Sequence, residues 1–262
     1  MESDSDVLLA HRLVDLSDEL ALRYFQQDVP SQEKADGSPV SEADLAVEKA
    51  MLEVLAAERP RDSVLSEESG ADERGKLSVA PRRWILDPID GTVPFLAGRR
   101  AWGTHVALEV DGELRIGVVS RPTEGKRWWA RHCSGAYAST ADSPLSTARR
   151  VRIPATVTAL RRARVGGFLF PGSPVEAIRD RMCWVGESPV SLVADLLEGR
   201  VDAVIDEGGH VWDRAPAALL VQEAGGHVDD LRGGRRIDQP WLVYTAHGIA
   251  RELTGLLKNT VG

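Results

Sequence analysis

The sequence contains little cysteine and no long apolar run. Its only cysteines are Cys133 and Cys183, and neither belongs to a Cys-x-x-Cys pair, so we expect neither a disulfide framework nor a thiolate metal site. No stretch approaches the roughly 20 apolar residues of a membrane span. The first residues, MESDSDVLLAHRL, lack the basic and apolar regions of a secretory signal. We therefore expect a cytoplasmic protein with no membrane partner.

Positive charge is also scarce. The chain carries 32 lysines and arginines against 40 acidic residues, which gives a net charge of −8. This balance argues against nucleic acid as a partner. If such a protein handles anions, it needs local positive charge, and bound metal ions are one source of it. The hydrophobic fraction of 43% suffices for a large core.

The pattern of apolar residues changes along the chain. Helical spacing predicts helices over 6–27 and 42–57, and Asp111-Gly112 between alternating segments predicts a β-hairpin. We expect an N-terminal α+β half, 1–148, and a C-terminal α/β half, 149–262. Further helices are predicted over 174–181, 188–198 and 213–224, and further strands over 102–109, 113–121 and 201–205.

The stretch WILDPIDGT, residues 84–92, ends a buried strand with two carboxylates. Pro88 makes the turn rigid, and Gly91 lets the backbone approach a ligand closely. A helix beginning at Gly91-Thr92 would offer its free N–H groups to an anion. Asp87 and Asp90 would repel one another unless cations neutralise them, so the pattern favours divalent metals beside a phosphate. A strand-terminal turn with an aspartate cap is the simpler alternative.

Two other acidic segments support the metal interpretation. Glu67 and Glu68 end the apolar run before this strand, and Asp213 follows Trp212 where a helix is expected to start. Each has a simpler explanation alone, since paired glutamates are usually on the surface and an aspartate often caps a helix. Three acidic ends in one chain favour a shared metal site. No arrangement of serine, cysteine or histidine competes as a nucleophile.

These motifs together resemble the inositol monophosphatase family of metal-dependent phosphatases. The resemblance rests on DPIDGT, on the upstream EES, and on WD followed by an alanine-rich helix and EAGG. The stretches WWA and GAYAS are most similar to the histidinol-phosphatase branch of actinobacteria. The resemblance implies an α/β (α+β) fold, the layered α-β-α-β-α sandwich of the inositol monophosphatase and fructose-1,6-bisphosphatase type. It also implies a homodimer and an active site between the two halves.

The resemblance assigns a role to each matching residue. The reaction is in-line attack of metal-activated water on a small-molecule phosphate monoester, with two to three Mg²⁺ ions per site and Mn²⁺ as a substitute. Asp44 and Thr92 orient the attacking water. Asp44 can also cap its helix, since the two roles are compatible. Glu68 orients ligands or water. The amides of Gly91 and Thr92 hold the phosphate. The implied metal ligands are Glu67, Asp87, the carbonyl of Ile89, Asp90 and Asp213.

The substrate side departs from the family pattern. Val93-Pro94 replaces polar residues after the phosphate turn, and Cys183 stands where an arginine is common. We expect an acidic, aromatic pocket. Packing in the core is an alternative role for Trp184, and exposure in a solvated loop is an alternative for Lys34. The candidate substrate-binding residues are Lys34, Trp184, Glu187, Ser188 and Asp206.

The predicted substrate resembles histidinol phosphate. A nucleoside 5'-monophosphate or a sugar phosphate from a specialised biosynthetic pathway is the alternative. A phosphatase of bisphosphates or 3'-phosphonucleotides would need further basic residues. A non-catalytic protein that binds phosphorylated metabolites is the competitor from another class, and it would have little reason to retain the six side chains Asp44, Glu67, Asp87, Asp90, Thr92 and Asp213.

Overall fold

The structure, a computed structural model, describes residues 3–35, 37–69, 81–154, 157–187 and 192–261. The α-helices there are α1 (Asp4–Tyr24), α2 (Glu42–Glu58), α3 (Thr92–Leu96), α4 (Leu192–Leu197), α5 (Val211–Glu223) and α6 (Ala250–Val261). The strands are β1 (Ser31–Glu33), β2 (Pro39–Ser41), β3 (Ser63–Ser66), β4 (Arg82–Asp90), β5 (Gly103–Val110), β6 (Glu113–Arg121), β7 (Lys126–Arg131), β8 (Gly135–Thr140), β9 (Arg149–Val151), β10 (Arg164–Phe168), β11 (Cys183–Glu187), β12 (Ala203–Glu207), β13 (His227–Asp229) and β14 (Trp241–Thr245).

The two predicted N-terminal helices are confirmed. Helix α2 begins with a capping box, in which the backbone N–H of Ser41 donates to Asp44 Oδ2 at 2.7 Å. The box satisfies donors that the first turn of a helix leaves free. Helix α1 ends at Tyr24, three residues before the predicted end.

The first sheet has the strand order β3-β4-β5-β6-β7-β8-β9. Only β3 and β4 run parallel, and the other neighbours are antiparallel. The predicted hairpin joins β5 to β6, with positive φ at both Asp111 (53°) and Gly112 (78°). Asp-Gly favours this turn because two such φ values are costly for most other residues.

The second sheet has the strand order β11-β10-β12-β14-β13. Strand β10 runs parallel to both of its neighbours, whereas β14 is antiparallel to its own. The helix predicted over 174–181 is present with these bounds, but it is a 3₁₀ helix and not an α-helix. Of the helix predicted over 188–198, residues 188–191 lie outside the described residues.

Apolar side chains alternate between the two faces of the first sheet and build the layers. Trp84 points to the core under α1 and α2, whereas Ile85 points to the core shared with α5 and the second sheet. On the far face of the second sheet, Val243 packs with Leu253 of α6. The mixed α/β fold is therefore confirmed, with layers in the order helices, sheet, helices, sheet, helix.

Strand β9 pairs with β8, so the first sheet extends past the boundary expected between residues 148 and 149. Because α5 packs between the two sheets, one core spans both halves, and the division into 1–148 and 149–262 stays a prediction. Within the described residues, no helix is long and apolar enough to cross a membrane. The homodimer and the cytoplasmic location also stay predictions.

Candidate active site

Strand β4 carries two aspartates to the edge of the first sheet. Asp87 and Asp90 are 1% and 9% exposed. The pairing of β4 with β5 shifts between them, with Asp87 opposite His105 and Asp90 opposite Gly103. Gly91 then adopts φ 93°, a left-handed conformation that suits glycine, and α3 begins at the next residue. The strand, turn and helix predicted from WILDPIDGT are confirmed.

Two other elements bring acidic residues to the same place. Glu67 follows β3, held by a hydrogen bond from its N–H to the carbonyl of Leu86. Asp213 lies in the first turn of α5, where its Oδ2 accepts a 2.7 Å bond from the N–H of His210. It is the third helical residue and not the cap, because the helix begins two residues earlier than predicted.

These side chains surround an open cavity of about 670 Å³, within the usual range for small-molecule sites. Its lining comes from both halves of the chain and includes Lys34, Glu67, Asp87, Asp90, Gly91, Thr92, Phe168, Phe170, Asp206, Trp212 and Asp213.

The carboxylates at the base of the cavity are poorly compensated. Burial, and then the neighbouring carboxylates, raise the pKa values of Asp87 and Asp90 well above the usual range, and raise the pKa of Asp213 to about 7. Within the described part of the chain, none of these three forms an ion pair with lysine or arginine.

The free ligand atoms of this cluster suit a metal ion. Asp87 Oδ1, Asp90 Oδ2 and His105 Nε2 make no hydrogen bond to any described residue. Asp87, Asp90 and His105 each offer one ligand atom, and these atoms lie within 4.8 Å of one another. Buried polar atoms without partners are costly, and closely packed carboxylates attract hard cations. A divalent cation therefore fits the residues present.

Lys34 lies beside the metal-ligand candidates. Its Nζ is 2.8 Å from Glu67 Oε1 and 2.7 Å from Glu68 Oε2. Burial alone would lower the pKa of Lys34, but the two glutamates raise it overall. Burial raises the pKa of Glu68 to about 7. The Glu67-Glu68 turn is anchored by Glu48, whose Oε1 accepts the N–H groups of Glu68 and Ser69 at 3.0 Å each, a contact that the sequence did not reveal.

Asp44 and Thr92 meet as the resemblance implies. Thr92 Oγ1 lies 3.3 Å from Asp44 Oδ1 and 3.4 Å from the carbonyl oxygen of Ile89. The other carboxylate oxygen of Asp44 holds the capping box, so the capping contact and the contact with Thr92 coexist. Burial raises the pKa of Asp44.

Asp206 lines the cavity but is already paired. Arg214, whose side chain is 1% exposed, donates from Nε to Asp206 Oδ2 and from Nη2 to Asp206 Oδ1, each at 2.7 Å. Gly209 N–H adds a third bond to Oδ1 at 3.0 Å. This bidentate pair offsets the charge of Asp206, so the cavity wall is less acidic here than the sequence suggests.

Within the described part of the chain, the structure does not place the other predicted substrate-binding residues, Trp184, Glu187 and Ser188, in the cavity lining. Trp184 is not among the residues that line the cavity; it is half-buried, with the guanidinium of Arg179 4.6 Å from its ring centre. Glu187 ends β11, and Ser188 lies outside the described residues. Their roles in binding stay predictions.

Aromatic rings line the cavity on the side of the C-terminal half. Phe168 and Phe170 are 39% and 49% exposed, with ring centres 5.6 Å apart, and Trp212 stacks on His210 at 4.6 Å. We call these four residues the aromatic wall. The sequence GFLFPG predicts none of this, because phenylalanines after a strand most often pack in a core.

The sequence also did not indicate that His105 lies in the acidic cluster. Burial, and then the charge of Arg121, lower its pKa to about 4, although a bond to Asp213 opposes them. His105 lies beside Asp87 only because of the register in which β4 pairs with β5. The sequence around His105 alternates like that of any strand and does not indicate this register.

Comparisons with known proteins place this architecture in a family. The model of the inositol monophosphatase family matches residues 6–261. A Streptomyces griseus protein named glucose-1-phosphate thymidylyltransferase is 67% identical, over 98% of each chain. The histidinol-phosphatase of Mycobacterium tuberculosis is 36% identical, over 88% of this chain and 89% of its own. The resemblance predicted from the motifs is confirmed.

Solved structures agree on the fold. The extragenic suppressor protein suhB from Bartonella henselae superposes with a TM-score of 0.83 at 25% identity, over 98% of this chain and 100% of its own. An IMPase/NADP phosphatase complexed with Mg²⁺ and phosphate reaches a TM-score of 0.80 at 16% identity, over 98% of this chain and 96% of its own.

Proposed function

Because this chain belongs to the inositol monophosphatase family, whose members are metal-dependent phosphatases, we propose that it hydrolyses a small-molecule phosphate monoester with the help of Mg²⁺. The alcohol released resembles histidinol. The observation that carries the proposal is the convergence of Asp87, Asp90 and Asp213 at the base of one cavity, where no described lysine or arginine pairs with them.

The cations belong among the acidic residues at the base of the cavity. Glu67, Asp87, the carbonyl of Ile89, Asp90 and Asp213 would hold two to three Mg²⁺ ions, with Mn²⁺ as a substitute. When bound, such ions polarise the phosphoryl oxygens and lower the pKa of a water molecule. Lys34, held by Glu67 and Glu68, keeps one positive charge at the rim for the incoming phosphate.

Thr92 and Asp44 orient the attacking water. The Thr92 hydroxyl donates to Asp44 Oδ1, so its oxygen lone pairs face outward and accept a hydrogen bond from the water. The proton of the water then moves toward Thr92 Oγ1 as that of Thr92 moves toward Asp44 Oδ1. Glu68 contributes by holding the ammonium group of Lys34 in place beside Glu67.

The phosphate lies over the turn between β4 and α3. The first N–H groups of a helix have no partner inside the helix, and Gly91 and Thr92, at the start of α3, line the cavity. Because Gly91 has no side chain, the phosphate oxygens can approach its amide. Positioning in this way accounts for much of the catalysis of phosphoryl transfer.

The aromatic wall supports a substrate with a flat ring. Phe168, Phe170 and Trp212 offer ring faces or edges to the cavity, and aromatic rings prefer to stack on other flat groups. The imidazole of histidinol phosphate meets this requirement, and the base of a nucleoside 5'-monophosphate is the alternative. A sugar phosphate would rely instead on Glu187, Ser188 and the remaining hydrogen-bonding capacity of Asp206.

Thymidylyl transfer is a second candidate only because the Streptomyces griseus relative carries that name. A thymidylyltransferase must hold a nucleoside triphosphate, which calls for several basic groups. Lys34 is the only lysine or arginine among the described residues that line the cavity, and two glutamates already pair with it. This lining favours a single phosphate monoester.

The test is release of inorganic phosphate with Mg²⁺, with Mn²⁺ and with a chelator. The panel contains histidinol phosphate, inositol 1-phosphate, nucleoside 5'-monophosphates and aminosugar phosphates. Thymidine triphosphate with glucose 1-phosphate, read as pyrophosphate, tests the second candidate. We expect metal-dependent release, with kcat/KM for histidinol phosphate about tenfold above that for inositol 1-phosphate, which corresponds to one good stacking contact.

Phe170→Leu is the matched variant for the substrate. It removes the ring but keeps an apolar side chain, so kcat/KM for histidinol phosphate should fall about 3- to 10-fold while that for inositol 1-phosphate hardly changes. Release from no member of the panel with either metal would contradict the proposal. An equal loss on both substrates would contradict the stacking assignment alone.

A further inference from the structure

His105 lies on β5, directly opposite Asp87 of β4. It is 4% exposed, so its ring is enclosed between the first sheet and α5. A buried imidazole needs a partner for each ring nitrogen, because an unpaired polar atom inside a protein is costly.

The backbone fixes which nitrogen of the ring carries the proton. His105 Nδ1 lies 3.1 Å from the carbonyl oxygen of Asp213. A carbonyl oxygen can only accept a hydrogen bond, so Nδ1 is the protonated nitrogen. In the neutral ring the lone pair is then on Nε2.

That lone pair faces the cluster of carboxylates. His105 Nε2 is 3.4 Å from Asp90 Oδ2, yet neither atom makes a hydrogen bond to any described residue, and Asp87 Oδ1 also lacks one. Electron-rich atoms this close repel one another unless a proton or a cation lies between them, so the cluster can accept a cation in place of a proton.

The spacing is close to that of a single coordination sphere, and His105 Nε2 and Asp90 Oδ2, 3.4 Å apart, already fit one. Atoms that bind one ion at about 2.1 Å lie between about 3 Å apart, when adjacent, and about 4.2 Å apart, when opposite. Asp87, Asp90 and His105 offer ligand atoms within 4.8 Å of one another, which is close to this range. A metal-binding histidine usually donates its other N–H to a backbone carbonyl or a carboxylate, and His105 does so to Asp213.

We infer that His105 Nε2 is a nitrogen ligand of the cation held by Asp87 and Asp90, and that this nitrogen raises the affinity of the site for first-row transition ions, Mn²⁺ among them, more than its affinity for Mg²⁺. The inference rests on the proposed function, because it adds a ligand to the same metal site. Mg²⁺ favours oxygen ligands, whereas an imidazole nitrogen adds to the affinity for first-row transition ions, least for Mn²⁺ and more for ions such as Co²⁺ and Zn²⁺.

Electron spin echo measurements on the full chain with one equivalent of Mn²⁺ test the inference directly. A directly bound imidazole nitrogen modulates the echo of Mn²⁺, so we expect ¹⁴N modulation in the unaltered protein. Labelling histidine with ¹⁵N should change its frequency. This arm needs no substitution, so it stays informative even if a variant fails to fold.

His105→Asn is the informative variant. The asparagine amide can still donate to the carbonyl of Asp213, but it places no atom at the position of Nε2. We expect the ¹⁴N modulation to disappear and the affinity for Mn²⁺ to fall at least about tenfold, with a much smaller change for Mg²⁺ in competition titrations. His227→Asn is the control, since His227 lies near His247, outside the cavity, and its loss should change neither result.

The possible results separate the inference from the proposed function. Bound Mn²⁺ without ¹⁴N modulation, or modulation that survives His105→Asn, would overturn the role of His105 while metal-dependent phosphate release could continue. Failure of the unaltered chain to bind either Mn²⁺ or Mg²⁺ would overturn both.

Discussion

The carboxylates that line the cavity have two opposite kinds of surroundings. Asp206 receives three bonds to its carboxylate, two from Arg214 and one from a backbone amide. Asp87 and Asp90, at the base of the same cavity, have no lysine or arginine partner among the described residues and retain free oxygen atoms. The first arrangement is complete without a ligand, whereas the second is not.

This difference separates acids that stabilise the fold from acids that bind a ligand. A buried charge must be paired or neutralised, and the chain does this elsewhere with its own arginines. Asp6, for example, pairs with Arg59 and Arg82. Where the chain supplies no cation to a close group of carboxylates, the surroundings favour one from solution. Three changes test this comparison.

Asp90→Asn should have the largest effect. It removes a ligand oxygen, so we expect kcat/KM in the presence of metal to fall about 10³- to 10⁴-fold, the loss of several kcal/mol of charge stabilisation. The metal-free protein should become more stable, because one of several repelling carboxylates is gone. Steady-state kinetics and urea unfolding in chelator measure the two effects.

Lower activity with metal and higher stability without metal together identify Asp90 as an acid that binds a ligand. An acid that stabilises the fold would give a less stable protein when replaced, with or without metal. A variant that lost stability in chelator, or one that kept full metal-dependent activity, would therefore contradict the distinction between the two groups.

Arg214→Met tests the other group. Arg214 is buried and also donates to the carbonyl oxygens of Ile237 and Gln239. Removal of one partner of a buried ion pair typically costs about 3 to 5 kcal/mol, so we expect the free energy of unfolding to fall by about that amount. Urea unfolding at neutral pH measures the loss.

The double variant Arg214→Met, Asp206→Asn separates charge from packing. If an uncompensated Asp206 causes most of the loss, the second substitution should restore part of the stability. No loss in the single variant, or a double variant that is less stable than the single one, would show that Asp206 does not depend on Arg214.

The sequence predicted the turn that carries Asp87 and Asp90 well because this turn depends on local features, whereas their role as metal ligands stays a prediction. In DPIDGT, one proline and one glycine fix the turn, so the spacing of Asp87 and Asp90 follows from neighbouring residues. Ser41 and Asp44 form a capping box for the same reason. The acidic ends of two other predicted elements indicated the long-range partners Glu67 and Asp213, and the family resemblance then gave each of them a role.

The sequence did not predict the contacts of Asp206 and His105, because these contacts join distant elements. The pairing of Asp206 with Arg214 crosses from β12 to α5, and the contact of His105 with Asp213 joins β5 to α5. Neither depends on a local pattern. The segment 174–181 is helical as its spacing predicts, but it forms a 3₁₀ helix that begins at Pro174 and not an α-helix.

Arg12→Met should have the smallest effect. Arg12 of α1 pairs with Glu58 at the end of α2, and their side chains are 56% and 38% exposed. Water screens such a pair, so its contribution to stability is about 0 to 1 kcal/mol, and Glu58→Gln should give a similarly small change. A loss as large as that of Arg214→Met would mean that pairing itself stabilises acids in this fold. Near-equal stability in urea unfolding would show that burial decides which carboxylates need a cation.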